Sequence, residues 1–262
     1  MTRFAFVLRD TVLLLGCLTA APHLSAQAPA GRGAAPPKTA KAAAPVDLTG
    51  YWTSQITGDW RFRMATPPKG DVSGLPLNAA GRAIANAWDP AKDEAAGEQC
   101  KRYGAPGLMR LPGRLHITWQ DDETLKLEMD NGTQTRLFHF GAAQAQSADW
   151  QGVSRASWEF LPGAVTETLA ERGAAEYGVG SLKVVTTNLR PGYLRPNGVP
   201  YSDKTVLTEY FDRVQEPNGD AYFILTTTIE DPTYLTQPVM ISTHFKKLAD
   251  AKGWNPSACT TQ

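Results

Sequence analysis

Four side chains could carry acid–base chemistry, because each lies in a segment with the alternating pattern of a β-strand. They are His139, Glu209, Tyr210 and His244. A carboxylate beside an imidazole in a dry pocket forms a general acid–base pair, and a tyrosine hydroxyl can also move a proton. This chemistry would suit elimination, dehydration or isomerisation without a cofactor, if the fold brings the four groups together.

Strand periodicity decides which of these groups can meet, because alternate residues of a strand share a face. Glu209 and Tyr210 therefore lie on opposite faces. The more apolar faces of the last two predicted strands carry Phe223, Leu225, Thr227 and Ile229, and Val239, Ile241, Thr243 and Phe245. Matching these faces predicts Thr208, Tyr210 and Thr227 as the interior polar groups. The opposite assignment would bring Glu209 and His244 into the interior, together with Arg213 and Glu230, and the sequence leaves both assignments open.

Three histidines on three predicted strands raise the alternative of a zinc site with an open fourth position. They are His116, His139 and His244, and no HxH or HxxxH spacing links any two of them. Separate, hydrogen-bonded histidines are the simpler interpretation. Since phosphate-binding, nucleotide-binding and HExxH motifs are also absent, no metal or other cofactor is expected.

The segment DWRFRM alternates aromatic and guanidinium groups at Trp60, Arg61, Phe62 and Arg63. Arginine presents a planar fork that can clamp a carboxylate or stack on a ring, so Trp60, Arg61 and Arg63 are candidate ligand-binding residues. The alternative is an edge strand whose arginines pair with surface carboxylates.

A second candidate binding element is the stretch from Leu189 to Asp203, LRPGYLRPNGVPYSD. Connections of this length without structure of their own are usually functional or disordered, and the prolines and aromatic residues favour a stiff segment. We expect a cavity lid that carries Tyr193, Arg195 and Tyr201. A packed loop is the alternative.

The elements that must position these residues are mainly strands. From Gly113 onward the pattern has period two, in eight runs bounded by turn formers. The runs are LHITWQ, TLKLEMD, TQTRLFHF, SRASWEF, SLKVVTTNL, TVLTEYFDRV, AYFILTTTIE and PVMISTHFKKL, and DLTGYWTSQI precedes them as a further candidate. Asn131-Gly132 and Asn218-Gly219 are strong hairpin signals between successive runs.

The predicted fold class is mainly β, an antiparallel up-and-down, lipocalin-like barrel of 8–9 strands with a short N-terminal helical segment. Closure removes the two open edges of such a meander, and a sandwich is the structural alternative. Asn78 can cap a helix that ends near Asp89, and a second helical piece is expected from Lys92 to Tyr103. Charged residues on both faces of most strands argue against an outer-membrane barrel.

The N-terminus has the three zones of a secretion signal: Arg3 and Arg9, an apolar run, and the triplet Ala26-Gln27-Ala28. The run is about ten residues long, which is too short for a stable membrane span. We therefore expect a signal peptide at 1–28, a disordered Ala/Pro-rich linker at 29–45 and a single barrel domain at 46–262, in a periplasmic or secreted protein. Acylation at Cys17, in a lipoprotein box, is the alternative processing.

Removal of the signal leaves Cys100 and Cys259, which an oxidising compartment would join as a disulfide. From residue 46 onward the chain carries 21 basic and 25 acidic residues, with no basic cluster. That balance argues against nucleic acid as a partner. It leaves the oligomeric state open.

Several strings of this sequence resemble a family of exported bacterial proteins of unassigned function with a lipocalin-like barrel. They are DLTGYW, DWRFRM, GDVSGLPLN, PGRLHITWQDD, GTQTRLFHF, RPGYLRPNGVPYS, LTEYFD and STHFKK. The likeness covers nearly the whole chain after the linker, and it implies a fold but no activity and no catalytic residue.

The function expected from these patterns is the binding of a small, partly apolar molecule, aromatic or carbonyl-bearing, in the barrel. The first alternative is a lyase, dehydratase or isomerase that uses the acid–base residues in the same cavity. The second is an interaction module of the cell envelope whose barrel is filled and binds no ligand.

Overall fold

Nine strands close into one barrel in the computed structural model, which describes residues 38–141, 148–160 and 180–261. The strands in chain order are β1 (Gly50–Gln55), β2 (Arg114–Trp119), β3 (Thr124–Met129), β4 (Gln134–His139), β5 (Val153–Phe160), β6 (Gly180–Thr187), β7 (Gly192–Arg195), β8 (Val199–Tyr201), β9 (Val206–Gln215), β10 (Ala221–Glu230) and β11 (Val239–Leu248). Around the barrel their order is β1-β11-β10-β9-β6-β5-β4-β3-β2, and β1 pairs with β2 to close it.

The predicted fold class is confirmed. The expected signal peptide, Cys17 and most of the linker lie outside the described residues.

One pair in this barrel departs from the expected antiparallel pattern. β4 and β5 run parallel and pair only through Phe138 with Ser154 and His139 with Arg155. All the other described barrel pairs are antiparallel. The connection after β4 returns the chain to the end from which β4 started, so β5 runs in the same direction. Period two is the same in both orientations, and the sequence pattern could not distinguish them.

Helices and a hairpin cover the barrel end at which β1 finishes and β2 begins, which we call the plugged end. The helices are α1 (Trp60–Arg63), α2 (Ala79–Ala87), α3 (Pro90–Ala95), a 3₁₀ helix (Gln99–Tyr103) and α4 (Ala105–Leu108). Asn78 caps α2, because its side-chain oxygen accepts a hydrogen bond from the Gly81 amide at 3.0 Å. Leu108 and Tyr103 are buried in the same core as the barrel interior. The segment between β1 and β2 is therefore the plug of the barrel.

The stretch expected to be a lid is instead a short hairpin, formed by β7 and β8 and packed into the plugged end. Leu194, Val199 and Tyr201 are buried there in one cluster with the start of β9 and the end of β10. The apolar side chains of the stretch are numerous enough to give it a core of its own, which explains why it packs into the plug.

Aromatic rings fill the middle of the barrel. Phe223 lies at ring-centroid distances of 4.8 Å from Trp52, 5.6 Å from Phe211 and 4.7 Å from Phe245. Phe138 continues the chain of contacts 5.7 Å from Phe211. Most of the lumen is thus a packed core.

Residues 38–49 cross the opposite end of the barrel. We call this segment the strap, and we call this end of the barrel the strap end. The Ala40 carbonyl accepts a hydrogen bond from Trp158 Nε1 at 2.8 Å, and the Ala40 amide donates to Glu123 Oε1 at 3.1 Å. Val46 and Leu48 enter the core. Residues 38–45, assigned to the linker by composition, therefore contact the barrel, because the apolar anchors that follow hold them there.

Candidate functional site

The centre of the lumen holds an ion pair with no exposure to solvent. Arg136 on β4 donates to both carboxylate oxygens of Glu209 on β9, at 2.9 Å and 2.5 Å, and the exposed fractions of the two side chains are 0% and 1%. Thr186 accepts a third hydrogen bond from Arg136 at 3.1 Å and lies 2.7 Å from the Ser154 hydroxyl. The guanidinium and the carboxylate thus neutralise each other inside an apolar core.

The inward position of Glu209 shows that the interior predicted from the apolar faces was wrong on β9. Phe223, Thr227, Thr243 and Phe245 do face inward, and Thr227 pairs directly with Glu209 across the sheet. Tyr210 and Thr208 lie on the outer face. Comparing the apolar residues on the two faces gave the wrong interior face for β9, because a glutamate that forms an ion pair with a buried arginine can occupy a core position.

Beside Glu209 lies a small cavity towards the plug. Its walls are Ala105, Pro106, Met109, Arg110, Glu209, Thr227, Ile241 and Thr243, and the space open to the centre of a water molecule is about 10 Å³. Such a space holds about one water. Thr243 Oγ1 is buried and has no hydrogen-bond partner among the described residues. The cavity is too small for an organic ligand.

The structure does not bring the four predicted acid–base residues together. His244 lies on the outer face of β11, with Nδ1 3.3 Å from Thr57 Oγ1, and His139 lies 3.4 Å from the Thr124 hydroxyl. Tyr210 stands on the outer face of β9 near Lys183. Glu209 alone is in the lumen, so these positions give no shared acid–base site.

The three histidines also have separate environments. His116 stacks on Tyr51 at a centroid distance of 4.1 Å and lies 3.4 Å from Glu128. Within the described ranges, no group of three potential ligands is arranged to hold a metal ion. The three-histidine alternative therefore has no geometric support, and each histidine has a local partner.

The plugged end does bring together three of the predicted ligand-binding residues. Arg61 and Arg195 both lie over the Phe62 ring, with guanidinium carbons 4.5 Å and 4.0 Å from its centroid. Arg63 Nε donates to the carbonyl of Arg110 at 2.8 Å. Because Trp60–Arg63 forms the helical turn α1, the edge-strand alternative is wrong about the secondary structure, although Arg61 does pair with a carboxylate, that of Asp71.

Tyr193 and Tyr201 lie apart from this arginine cluster. Tyr193 donates from its hydroxyl to Asp93 Oδ2 at 2.8 Å, and burial together with the Asp93 carboxylate raises its pKa above the usual range. Burial likewise raises the pKa of the Tyr201 hydroxyl, which is packed against Gly104 and Gly192. Both tyrosines secure the hairpin to the plug.

An open groove of about 640 Å³ lies at the strap end. Its lining residues are Lys41, Ala44, Pro45, Val46, Asp47, Thr49, Thr118, Trp119 and Arg213. Trp119 is the outermost member of the inward face of β2, and it begins an aromatic cluster with Phe140 at 5.6 Å and Trp158 at 6.4 Å. Unlike the cavity beside Glu209, this groove has the space for an organic molecule.

Charged side chains line part of the groove and affect which guests it favours. Arg213 donates to Gln215 at 3.2 Å, and its buried Nε has no partner among the described residues. Partial burial works to raise the pKa of Asp47, but hydrogen bonds from Thr49 and the cations of Lys247 and Arg213 together lower it. One carboxylate thus faces two cations, which favours an anionic or carbonyl-bearing guest.

Sequence reasoning missed Trp119 as a site residue, and it named Arg213 only as an interior residue of the opposite face assignment. The signal was available in the parity of β2, where Leu115, Ile117 and Trp119 share a face, and in the position of Trp119 at the end of its strand. An aromatic residue there must lie at the mouth of a closed barrel. Arg213 shares a face with Phe211 on β9, but only the closed barrel shows that it lies across from Trp119.

Comparison with models of known protein families finds no match, and no curated protein matches the sequence significantly. No helix within the described ranges is long and apolar enough to cross a membrane.

Cys100 and Cys259 form the predicted disulfide, with Cα atoms 5.1 Å apart.

Proposed function

We propose that this protein binds a small, partly apolar molecule in the groove at the strap end, outside the cytoplasm. The observation that carries the proposal is the groove itself, because about 640 Å³ falls in the range of ligand sites, whereas the lumen has room for about one water. The disulfide supports an extracellular or periplasmic location. Assignment to the exported family rests on the sequence resemblance.

The guest is a planar or aromatic molecule with a carboxylate or carbonyl group. Trp119 offers a ring for stacking, and the guanidinium of Arg213 lines the same groove. Arginine binds carboxylates through its planar fork. Catalysis is not part of this proposal, because none of the four predicted acid–base residues lines the groove.

A thermal-shift screen of the metal-stripped protein against aromatic carboxylates, sugars, lipids and divalent metals tests the proposal. Aromatic carboxylates should raise the unfolding temperature, and calorimetry should show binding at least about tenfold weaker in Trp119→Ala and Arg213→Gln. The matched controls are Trp60→Ala and Arg155→Gln, which remove exposed residues elsewhere. They should bind normally.

Hits that bind equally well to Trp119→Ala and Arg213→Gln would place the ligand elsewhere and contradict the proposal. No hits at all would favour the interaction module, whose specific support is the filled lumen. Conversion of a hit to a product, detected by mass spectrometry, would favour the enzyme alternative.

A further inference from the structure

The helical turn α1 at the plugged end buries one arginine, while apolar side chains at and next to the turn are exposed. Arg63 is 5% exposed, whereas Trp60 is 70% and Met64 59% exposed. A buried charge and an exposed aromatic ring are each informative, because folding normally does the opposite. Packing of the core alone therefore does not explain why Arg63 is buried while Trp60 and Met64 are exposed.

The arginine cluster around α1 contains more positive than negative charge. The cations are Arg61, Arg63, Arg110 and Arg195, and the carboxylates that act on them are Asp59 and Asp71. Glu209 lines a cavity shared with Arg110, but Arg136 already neutralises it through two hydrogen bonds. Among these described residues, four cations therefore face two carboxylates, an excess of two positive charges.

Three of the four guanidinium groups are largely buried. Arg63, Arg110 and Arg195 are 5%, 8% and 6% exposed. Arg195 Nη1 donates to the Ser73 carbonyl at 2.8 Å, while Arg63 Nη2 is buried with no partner among the described residues. An unpaired buried charge is costly, so a site of this composition favours an anion.

The pKa values of two buried arginines in the cluster are lowered, as an excess of positive charge predicts. Burial, together with the charge of Arg110, lowers the pKa of Arg63 to about 10, and the same two causes lower that of Arg195 to about 10. The carboxylates of Asp59 and Asp71 act in the opposite direction, but they do not restore the usual arginine pKa.

The cluster is open to solvent on one side. Arg61 is the outer member, with a side chain 57% exposed, and it holds Asp71 at 2.5 Å. Asp59, with a left-handed φ of 53°, holds Arg110 at 3.0 Å and has a side chain 53% exposed. The exposed side chains of Arg61 and Asp59 thus place part of the cluster at the protein surface.

We infer that the arginine cluster at the plugged end binds a small, doubly charged oxyanion, a phosphate or a dicarboxylate. Arg61 supplies an exposed guanidinium, Arg63 adds a second positive charge to the same cluster, and the anion balances the excess charge. This site lies at the opposite end of the barrel from the groove and is independent of it.

Calorimetric titration of the full-length protein with inorganic phosphate and with malonate tests the inference, at low millimolar concentration and with ionic strength matched by chloride. At least one of the two should give saturable binding with one site per chain. Arg61→Gln, which changes an exposed side chain, should weaken it at least about tenfold. Arg155→Gln, also an exposed arginine, should leave it unchanged, as should Trp119→Ala in the groove.

Arg63→Met supplies a second readout, because methionine keeps an unbranched side chain and removes the buried charge together with its hydrogen bond to the Arg110 carbonyl. Added anion should raise the unfolding temperature of the wild type but not that of Arg63→Met. Failure of both anions to bind would overturn the inference. So would binding that Arg61→Gln and Arg63→Met both retain, and neither result would bear on the groove.

Discussion

The Arg136–Glu209 pair shows at the scale of single residues how the lumen tolerates charge. Each carboxylate oxygen accepts one hydrogen bond from the guanidinium, so burial leaves neither oxygen unpaired. The pair is isolated from solvent and from the groove. We therefore interpret Glu209 as a structural residue, although its type had suggested acid–base chemistry.

Removal of one partner of this pair should be strongly destabilising. Glu209→Gln leaves a buried, unpaired guanidinium and should lower the free energy of unfolding by about 3–5 kcal/mol in urea titrations. The control Glu159→Gln disrupts a pair with Lys183 in which the carboxylate side chain is 47% exposed, and it should change stability by less than about 1 kcal/mol. Replacing both members with Arg136→Met and Glu209→Leu should recover much of the loss. Equal effects of Glu209→Gln and Glu159→Gln would contradict this role.

Asp71 should make stability depend on acidic pH. Hydrogen bonds from the Ser73 hydroxyl and amide, with a further contribution from Arg61, lower the pKa of Asp71 from 3.8 to about 2. A carboxylate whose folded pKa is depressed stabilises the fold above its unfolded pKa. This contribution should be lost as the pH falls from 3.8 towards 2.

Urea midpoints measured across that interval check the prediction. Asp71→Asn should be less stable than the wild type at neutral pH and should lose less stability on acidification. If wild type and variant decline in parallel below pH 3.8, Asp71 is not the group responsible.

At the scale of elements, turns make the most local demands on sequence. Gly198 in the β7–β8 turn and Gly219 in the β9–β10 turn have φ of +79° and +90°. A Cβ on Gly198 would lie 2.1 Å from the Trp88 ring, whereas one on Gly219 would have nothing within 4 Å. The two turns thus share a backbone conformation and differ in packing.

These two glycines form a matched pair of variants. Both alanine substitutions should incur the cost of the left-handed conformation, about 1–2 kcal/mol. Gly198→Ala should lose about 1–3 kcal/mol more, since the ring of Trp88 must shift. Thermal and urea unfolding would measure the difference, and equal losses would show that Trp88 moves without cost.

The strands show which local features can be predicted. All nine barrel strands follow from runs of period two, and Asn131-Gly132 and Asn218-Gly219 mark two of the turns, with left-handed glycines at both. The direction of β5 relative to β4 could not be predicted, because it depends on where the intervening connection goes. The structure of DWRFRM was mispredicted, because its aromatic alternation is also compatible with a helical turn.

At the scale of the whole molecule, the C-terminal tail ties the two ends of the fold together. After β11 it runs back along the barrel, where the Ser257 amide donates to the Asp130 carbonyl at 2.9 Å and the Ser257 carbonyl accepts from Thr133 at 2.8 Å. The disulfide then joins Cys259 to Cys100 across 159 residues of sequence. A link of this span restricts the unfolded chain strongly.

Loss of the disulfide should therefore lower stability by about 2–5 kcal/mol. Urea unfolding of the wild type with and without reductant would measure this, and the Cys100→Ser/Cys259→Ser double variant should match the reduced wild type. Reductant should not change the double variant. An unchanged midpoint for the reduced wild type would mean that the hydrogen bonds of the tail suffice.

Sequence alone determined the strand runs, the capped helix, the cysteine pair and the fold class, since these depend on short-range periodicity or on residue counts. Tertiary structure decided which strand faces enclose the lumen, that Glu209 is neutralised there, and that Arg61, Arg63 and Arg195 meet beside Arg110. It also decided that an open groove lies at the strap end, next to Trp119 and Arg213. The physical reason is that these contacts join residues far apart in the chain, and their geometry depends on the register and closure of the barrel.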